Sequence, residues 1–317
     1  MKEKKCIKLS VVVPIFNEEE TIPELVERLT KAVESISTLY ELIFVNDGSK
    51  DSSLQQLKTL HKSNARIKYI NFSRNFGHQI AVTAGLDFAE GEKIVIIDGD
   101  LQDPPELIPE MYNRSKNGFD VVYAKRVSRK GESFFKKITA TLFYRILSSI
   151  TSINIPLDTG DFRLIDRKVV NQLKQMSEKN KFLRGQIAWL GFKQTYITFQ
   201  RDERKYGSTG YPFRKMLQFA LDGITSFSDV PLRIVRNVGF IVSTFAFIVI
   251  LYAVFSHFVL KQTITGWSSL IISSMFIGGI QLFAIGIIGE YISRININLL
   301  NRPLYIIDES NVESELA

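Results

Sequence analysis

The residue types most able to do chemistry stand in one short stretch, KIVIIDGDLQDPPE at 93–106. The apolar residues at 94–97 predict a buried strand, because the run is too short and too β-branched for a helix. Asp98, Asp100 and Asp103 follow it and would repel one another unless a cation lies among them. Ligands usually bind at the carboxyl ends of strands in α/β proteins, so the pattern favours a hard divalent cation that carries phosphate oxygens. The competing interpretation is a solvated acidic turn.

Strands and helices alternate around this stretch. The sequence predicts strands at Leu9–Ile15, 42–45, Ile67–Phe72, 94–97 and 119–123, and helices at 21–33, 53–61 and 76–90. This order indicates right-handed βαβ units and therefore a parallel sheet with helices on both faces. Neither G-x-x-x-x-G-K-[ST] nor G-x-G-x-x-G occurs in the chain, which excludes a P-loop NTPase and an ordinary dinucleotide-binding fold.

Polar clusters fall where strand ends of this sheet should meet, and we expect them to converge at one edge. They lie at 14–18, 46–49, 73–77, 98–103 and 158–163. Glu18 and Asp47 can accept hydrogen bonds from a nucleobase or a ribose. Asp100 and Gln102 can ligate a metal, and Asp98 suits either the metal or the ribose. In the last cluster, DTGDFR, a carboxylate can serve as general base while the arginine binds phosphate.

Composition narrows the class of protein. The chain has 317 residues, a net charge of +7, one cysteine and three histidines. The lone Cys6 excludes an internal disulfide and a cysteine-rich zinc site, and so few histidines disfavour a multi-histidine metal centre. The positive charge suits an anionic partner, and phosphorylated donors and acidic lipid surfaces fit it as well as nucleic acid does. No long apolar core follows the basic first residues, so we expect no cleavable signal peptide.

The last third of the chain is apolar. Two uncharged runs, 238–260 and 266–288, are each long enough to cross a hydrocarbon core of ~30 Å. Only residues 261–265 separate them, so the pair predicts a membrane hairpin; the competing interpretation is a buried hairpin of a soluble protein. The flanking cations are Arg233, Arg236, Arg294 and Arg302, against Lys261 in the connection. The positive-inside rule therefore predicts that the α/β domain and both termini are cytoplasmic.

Two further segments have apolar residues at helical spacing, 134–153 and 211–227. For the first, a core-facing helix and a helix in the lipid headgroup layer remain open; for the second we favour the headgroup layer. Between them, the stretch RDERKYGSTGY at 201–211 gathers Arg201, Arg204 and Lys205 before a Gly-Ser turn. A basic loop of this kind can close on a diphosphate, or it can simply touch lipid headgroups.

The motifs VVVPIFNEE, FVNDGSKD, NFSRNFGHQIA, DGDLQDPPE and TGDFRL occur in this order and are followed by the basic loop and the hairpin. Together they resemble the family-2 glycosyltransferases that load a sugar onto a polyisoprenyl phosphate, such as bactoprenol glucosyltransferases and dolichol-phosphate mannose synthases. The resemblance covers the chain from Lys8 to about Pro303. It implies an α/β, Rossmann-like GT-A nucleotide-diphosphosugar domain, Mg²⁺ or Mn²⁺ held by an Asp-x-Asp motif, and inversion at the anomeric carbon.

The resemblance also implies roles for individual residues. The nucleoside would be held by Pro14, Phe16, Glu18 and Asp47, and the ribose, metal and diphosphate by Asp98, Asp100 and Gln102. The phosphate contacts would be Arg126, Arg163, Arg201, Arg204 and Lys205. Asp161, with Asp158 as second choice, would orient the acceptor or act as base. Mannose synthases often lack an acid at the position of Asp161, which leaves an essential base in question.

The predicted organisation is a cytoplasmic GT-A domain at 1–210, an interfacial helix at 211–234, transmembrane helices at about 236–260 and 266–290, and a cytoplasmic tail at 296–317 that is mobile after Tyr305. The expected partners are a nucleotide-sugar, undecaprenyl phosphate and the inner membrane, and not nucleic acid. Glycines at 278, 279, 286 and 289 allow close helix packing and favour a homo-oligomer. Glucose from UDP-glucose is the expected donor sugar.

Two alternatives remain. A processive polysaccharide synthase shares the GT-A domain, but such enzymes resemble one another in a Q-x-x-R-W motif and in more numerous membrane spans. Here the sequence at 186–189 is Gln-Ile-Ala-Trp, without the arginine. A membrane scaffold that has lost catalysis is the other alternative, and the intact acidic motif disfavours it.

Overall fold

The computed structural model describes residues 6–126, 159–200, 230–260 and 266–312. Within these residues the strands are β1 Leu9–Ile15, β2 Tyr40–Asn46, β3 Ile67–Phe72, β4 Lys93–Ile96, β5 Val121–Arg126, β6 Thr159–Asp166, β7 Gln194–Phe199 and β8 Ile307–Ser310. The helices are α1 Ile22–Glu34, α2 Ser53–Ser63, α3 His78–Phe88, α4 Ile108–Lys116, α5 Arg167–Gln175, α6 Leu183–Trp189, α7 Val230–Phe255 and α8 Trp267–Leu299, with a 3-10 turn at Pro105–Leu107 and a π-helical turn at Ser256–Leu260.

The described strands form one sheet in the order β7-β5-β6-β4-β1-β2-β3-β8. Its centre, β4-β1-β2-β3, is parallel, as the sequence predicted, with Val12 opposite both Ile43 and Ile96. These central strands are apolar and buried because helices cover both faces of the sheet. Helices α1, α2 and α4 pack on one face, and α3, α5 and α6 pack on the other.

The predicted parallel sheet also contains two antiparallel strands that the sequence did not indicate. Strand β6 runs antiparallel to both β4 and β5, and β8 runs antiparallel to β3. Because β6 runs in the opposite direction, its first residues lie beside the carboxyl end of β4, where Arg163 pairs with Ile96. The TGDFR segment therefore reaches the expected edge of the sheet from within a strand, and not from beyond a strand end.

The prediction of a mobile tail after Tyr305 was wrong for the described part of the tail. Strand β8 extends the sheet next to β3, and Val312 beyond it is buried. The ring of Tyr305 stacks on Phe72 with centroids 5.2 Å apart, and its hydroxyl donates to Asp87 Oδ2 at 2.9 Å. The segment that leaves the second apolar helix is thus attached to the sheet.

This attachment gives a first prediction. Tyr305→Phe keeps the stacked ring but removes the hydrogen bond to the Asp87 carboxylate, so we expect a loss of about 1–3 kcal/mol of unfolding free energy. Tyr196→Phe is the control, because the Tyr196 side chain is 52% exposed, and its effect should stay within about 0.5 kcal/mol. Thermal unfolding of the full chain in detergent measures both, and equal stability of the two variants would show that the Tyr305 hydroxyl contributes nothing.

Helices α7 and α8 contain two segments, Val230–Val249 and Ser273–Leu299, that are long and apolar enough to cross a membrane. Large apolar side chains such as Phe240, Met275 and Leu282 are more than 70% exposed along them. A continuous apolar surface of this kind indicates association with a membrane. The amphipathic segments at 134–153 and 211–227 lie outside the described residues, and the predicted domain limits stay predictions.

Candidate active site

The predicted convergence of polar clusters is confirmed at the edge where β1, β2, β3 and β4 end. Asn17 N–H donates to Ser49 Oγ at 2.9 Å, which joins the cluster after β1 to the one after β2. Asp47 accepts hydrogen bonds from the backbone of Phe76 and Gly77, which joins the cluster after β2 to the one after β3. His78 joins the loops after β3 and β4 to β6.

His78 lies at the centre of the site, between two carboxylates. It is the first residue of α3. Its Nε2 is 3.0 Å from Asp161 Oδ2 on β6 and 3.5 Å from Asp98 Oδ1 after β4. One imidazole therefore connects the acidic loop to the TGDFR segment, which are far apart in sequence.

Asp161 collects further donors. Arg184 Nε, at the start of α6, is 2.9 Å from Asp161 Oδ1, and Arg163 Nη2 is 3.2 Å from the same oxygen. Gln79 Nε2 donates to Asp161 Oδ2 at 3.3 Å. Arg163 is buried and also donates to the carbonyl of Gly160. Arg184 keeps a quarter of its side chain exposed, so it is the arginine of this pair that a ligand can reach.

The surroundings of Asp161 and Asp98 shift the pKa values of the two carboxyl groups in opposite directions. Burial raises the pKa of Asp161, but the Arg184 charge and the hydrogen bond from His78 outweigh it and hold that pKa well below its usual range. Burial raises the pKa of Asp98, and the neighbouring Asp161 and Asp100 charges add to this. Burial lowers the pKa of His78, yet the Asp98 charge and the contact with Asp161 raise it to about 9. Asp161 is thus ionised, whereas at Asp98 the charge of His78 only partly offsets the effects of burial and of the two neighbouring carboxylates.

The acidic loop is held tightly against β1. Thr21 Oγ1 donates to the carbonyl of Gly99 at 2.9 Å, and the Gln102 N–H donates to Asp100 Oδ1 at 3.1 Å. A Cβ on Gly99 would lie 2.7 Å from Ile15 Cδ1, so a larger residue does not fit there without movement. Buried Leu101 has a φ of 57°, an uncommon value for a residue with a side chain. These restraints keep three acidic residues close together in a short turn.

The site can hold a metal ion. Ligand atoms of His78, Asp98 and Asp161 all lie within 4.8 Å of one another. A protonated His78 cannot ligate a metal, so a bound cation would take the place of its proton, and the carboxylates of the site suit Mg²⁺ or Mn²⁺. Of the predicted ligands Asp98, Asp100 and Gln102, only Asp98 belongs to this group. Asp100 and Gln102 follow it in the same loop, and their role as ligands stays a prediction.

Arg126 lies beside the site at the end of β5. Its Nη2 is 3.6 Å from the fully buried Asp103 carboxylate. A Cβ on Gly160 would lie 2.7 Å from the same nitrogen, so Arg126 crosses β6 next to Asp161. The third acidic residue of the loop therefore holds this arginine in place. The predicted contact between Arg126 and a phosphate stays a prediction.

The predicted nucleoside residues flank the same edge. Asp47 is buried, and its two carboxylate oxygens accept from Phe76 N–H at 2.6 Å and Gly77 N–H at 2.9 Å. Burial raises the pKa of Asp47, and these hydrogen bonds oppose the shift. Asp47 thus shapes the loop that carries His78, which the sequence did not indicate. Pro14 is buried within β1, whereas Phe16 is 46% exposed and Glu18 is half-buried.

Four predicted residues, Asp158, Arg201, Arg204 and Lys205, lie outside the described residues. The sequence analysis missed His78, Gln79 and Arg184. For His78 and Gln79 a signal existed, since NFGHQ directly follows a strand that ends at the active edge. Arg184 had no such signal, because only the fold brings it to Asp161.

Comparison with known proteins identifies the family of this chain. The model of Glycosyl transferase family 2 matches residues 10–174, and that of the GtrB C-terminal hairpin matches residues 230–295. The chain is 52% identical to the uncharacterized glycosyltransferase YkcC of Bacillus subtilis, over 96% of this chain and 94% of that one.

Two further relatives carry more specific names. The chain is 41% identical to the prophage bactoprenol glucosyl transferase homolog of Escherichia coli, over 95% of this chain and 98% of the relative. It is 39% identical to the SfII prophage-derived bactoprenol glucosyl transferase of Shigella flexneri, over 96% and 99%. With its mixed GT-A sheet and apolar hairpin, this chain belongs to glycosyl transferase family 2 and carries the GtrB C-terminal hairpin.

Proposed function

We propose that this protein transfers glucose from UDP-glucose to undecaprenyl phosphate with inversion, and so makes a lipid-linked sugar for cell-envelope glycosylation. The observation that supports the proposal most is the His78, Asp98 and Asp161 cluster in a glycosyltransferase domain that carries an apolar hairpin. The names of the bactoprenol glucosyl transferases among its relatives support the donor sugar and the lipid acceptor.

The state of Asp161 fits an acceptor of this kind. A lipid phosphate is already ionised at neutral pH, so transfer needs little proton removal. A carboxylate whose pKa is held low by Arg184 and His78 is a weak base. We therefore assign Asp161 to orienting the acceptor through the groups bound to it, and Arg163 to fixing Asp161 from the buried side. Asp158 remains the second choice of base.

Stabilising the negative charge of the departing nucleoside diphosphate is a larger task for the site than removing a proton from the acceptor. Asp98 and Asp100, with Gln102, would hold Mg²⁺ or Mn²⁺, which when bound offsets the charge of the departing diphosphate. Arg184 keeps a quarter of its side chain exposed and adds a fixed positive charge beside Asp161. We propose that Arg126 and the loop residues Arg201, Arg204 and Lys205 contact the phosphates. The nucleobase would lie against Pro14, Phe16, Glu18 and Asp47.

The membrane location follows the same reasoning. We propose that α7 and α8 cross the cytoplasmic membrane and that the catalytic domain lies on its cytoplasmic side, in line with the flanking arginines. This places the site near the headgroups, where the phosphate of the acceptor lies. A homo-oligomer formed through the glycines of α8 completes the proposal.

The test is transfer of radiolabelled sugar from a panel of nucleotide-sugars to undecaprenyl phosphate in membranes, with Mn²⁺ and with chelator. We expect UDP-glucose alone to label lipid, and we expect chelator and Asp100→Ala each to abolish the label. Asp120→Ala, which removes an acidic residue paired with Lys168 away from the site, should leave the rate unchanged. No lipid label from any donor would refute the proposal, and label in a long polymer would favour a processive synthase.

A further inference from the structure

A cleft of about 490 Å³ lies between the catalytic domain and the end of the second apolar helix. One wall is the start of α3, a second is the segment before α6, and the third is the end of α8 with the residues after it. The described residues that line it are Phe76, Gly77, His78, Gln79, Ile80, Lys179, Asn180, Lys181, Phe182, Ile297, Leu300, Arg302, Pro303 and Leu304. None of the roles assigned above uses this cleft as a whole.

The cleft is positively charged. Lys179, Lys181 and Arg302 line it, and no lining residue is acidic. Lys179 Nζ donates to Asn301 Oδ1 at 3.1 Å, and Lys181 Nζ donates to the Met176 carbonyl at 2.5 Å, so both ammonium groups are held in place. Each ammonium has three donor hydrogens and keeps capacity for a further acceptor. The first turn of α3 adds the positive end of a helix dipole. These features together select an anion such as a phosphate.

The rest of the lining is apolar. Ile80, Phe182 and Leu304 stand beside Ile297 and Leu300, which belong to the last turns of α8 and to the residue after it. Ile297 and Leu300 therefore bring apolar side chains from the end of α8 into the cleft. A free sugar phosphate has no apolar part to bury against such a wall, whereas a phosphate with a hydrocarbon chain matches both halves of the lining.

The cleft also reaches the active site. His78 and Gln79 line it, and both contact Asp161 on their other side. Gln79 Oε1 additionally accepts from the N–H of Leu183, which fixes it between the cleft and Asp161. An anion in the cleft is thus separated from the carboxylate cluster by a single layer of side chains.

We infer that this cleft binds the phosphate and the first isoprene units of the lipid acceptor and leads them from α8 to Asp161. The inference rests on the proposed function, because that function supplies an acceptor with an ionised phosphate and a hydrocarbon tail. Lys179 and Arg302 contact the phosphate, and Leu300 contacts the tail.

The experiment uses the full chain in neutral phosphatidylcholine nanodiscs and measures KM separately for undecaprenyl phosphate and for UDP-glucose. Arg302→Gln and Lys179→Gln should each raise the KM for undecaprenyl phosphate by about tenfold, the loss of one charge-assisted hydrogen bond, and leave the KM for UDP-glucose unchanged. Lys62→Gln removes the same charge from the exposed surface of α2 and should change neither. Unfolding temperature confirms that each variant is folded.

Competition identifies the source of the phosphate. Farnesyl phosphate should compete with undecaprenyl phosphate in the wild type, whereas inorganic phosphate and phosphatidylglycerol at the same concentration should not. Leu300→Gln should weaken the competition by farnesyl phosphate and leave any competition by inorganic phosphate unchanged. Equal competition by inorganic phosphate or by phosphatidylglycerol would overturn the inference in favour of a general anion or headgroup site.

The two proposals fail in different ways. If the wild type transfers no sugar to undecaprenyl phosphate, the proposed function is wrong and the inference falls with it. If the wild type is active but Arg302→Gln and Lys179→Gln keep the wild-type KM for the acceptor, only the cleft inference is wrong.

Discussion

Asp161→Asn should lower the rate of sugar transfer by about a hundredfold, because a small misplacement of the acceptor is enough to cost that much. The amide keeps the shape of the side chain but not its charge. His78, Arg163 and Arg184 would then face a neutral group, and their mutual repulsion would displace them. Transfer of labelled sugar to undecaprenyl phosphate at saturating donor measures the effect.

Two further variants make this result interpretable. Breaking a buried ion pair also destabilises a protein, so Asp161→Glu, which keeps the charge, should unfold at a higher temperature than Asp161→Asn and still transfer sugar slowly. Asp166→Asn makes the same change on the same strand, where Asp166 caps α5 and pairs with Lys93. Asn caps a helix about as well as Asp, so this variant should lose only the ion pair with Lys93, at most about 1 kcal/mol of stability, and keep its rate. A folded Asp161→Asn protein with a rate within tenfold of the wild type would exclude the proposed role of Asp161 in orienting the acceptor.

Gly48→Ala should cost about 2–4 kcal/mol of stability and raise the KM for the nucleotide-sugar severalfold. Gly48 has a φ of +69°, and a Cβ there would lie 2.6 Å from the carbonyl carbon of Arg74 and 2.7 Å from Asn75 N. The backbone at 74–75 must move, and the hydrogen bonds from Phe76 and Gly77 to Asp47 move with it. Thermal unfolding and donor KM measure the two effects.

Gly191→Ala is the matched control for this change. Gly191 has a φ of +70°, but a Cβ there would meet nothing within 4 Å. It should therefore show only the strain of the left-handed backbone, about 1 kcal/mol, with no change in donor KM. Equal losses of stability in Gly48→Ala and Gly191→Ala would mean that the close approach of residues 74–75 to Gly48 does not contribute to the cost.

Local patterns predicted the centre of the fold. Strands β1 and β3 have the predicted bounds, and α1 buries the apolar residues that its periodicity indicated. These elements are specified by neighbours within a few residues, so the sequence states them directly. The acidic loop was predicted for the same reason, since its carboxylates and the strand before them are contiguous.

The rest of the site could not be predicted, because the charge of Asp161 is balanced mainly by residues that are far away in the sequence. In β6, Asp161 and Arg163 alternate with Phe162 and Leu164, and all four are buried. The charged pair suggested a polar cluster outside a strand, because a buried charge is costly unless a partner is present. Those partners come from α3 and α6, and His78 is 83 residues from Asp161. No local pattern reports such a contact.

The tail misled the prediction in a similar way. Its acidic residues suggested a solvated segment, but Glu309 accepts from the Tyr69 hydroxyl on β3 and pairs with Lys58 on α2. Strand β3 offered an open edge, and the tail pairs with it. The composition of the tail does not show that an unpaired strand edge elsewhere in the chain is available to it.

Strand β8 also restricts how many times the chain can cross a membrane between β7 and β8. The sheet contains strands from before the hairpin and one strand from after it. Since a sheet cannot be divided by a bilayer, the chain that enters a membrane after β7 must come back to the side from which it left. The number of crossings between β7 and β8 is therefore even, whatever the charges that flank them. A reporter fused after residue 317 would report the compartment of the catalytic site, and, under the proposed topology in which α7 and α8 each cross the membrane, one inserted at 261–265 would report the opposite compartment.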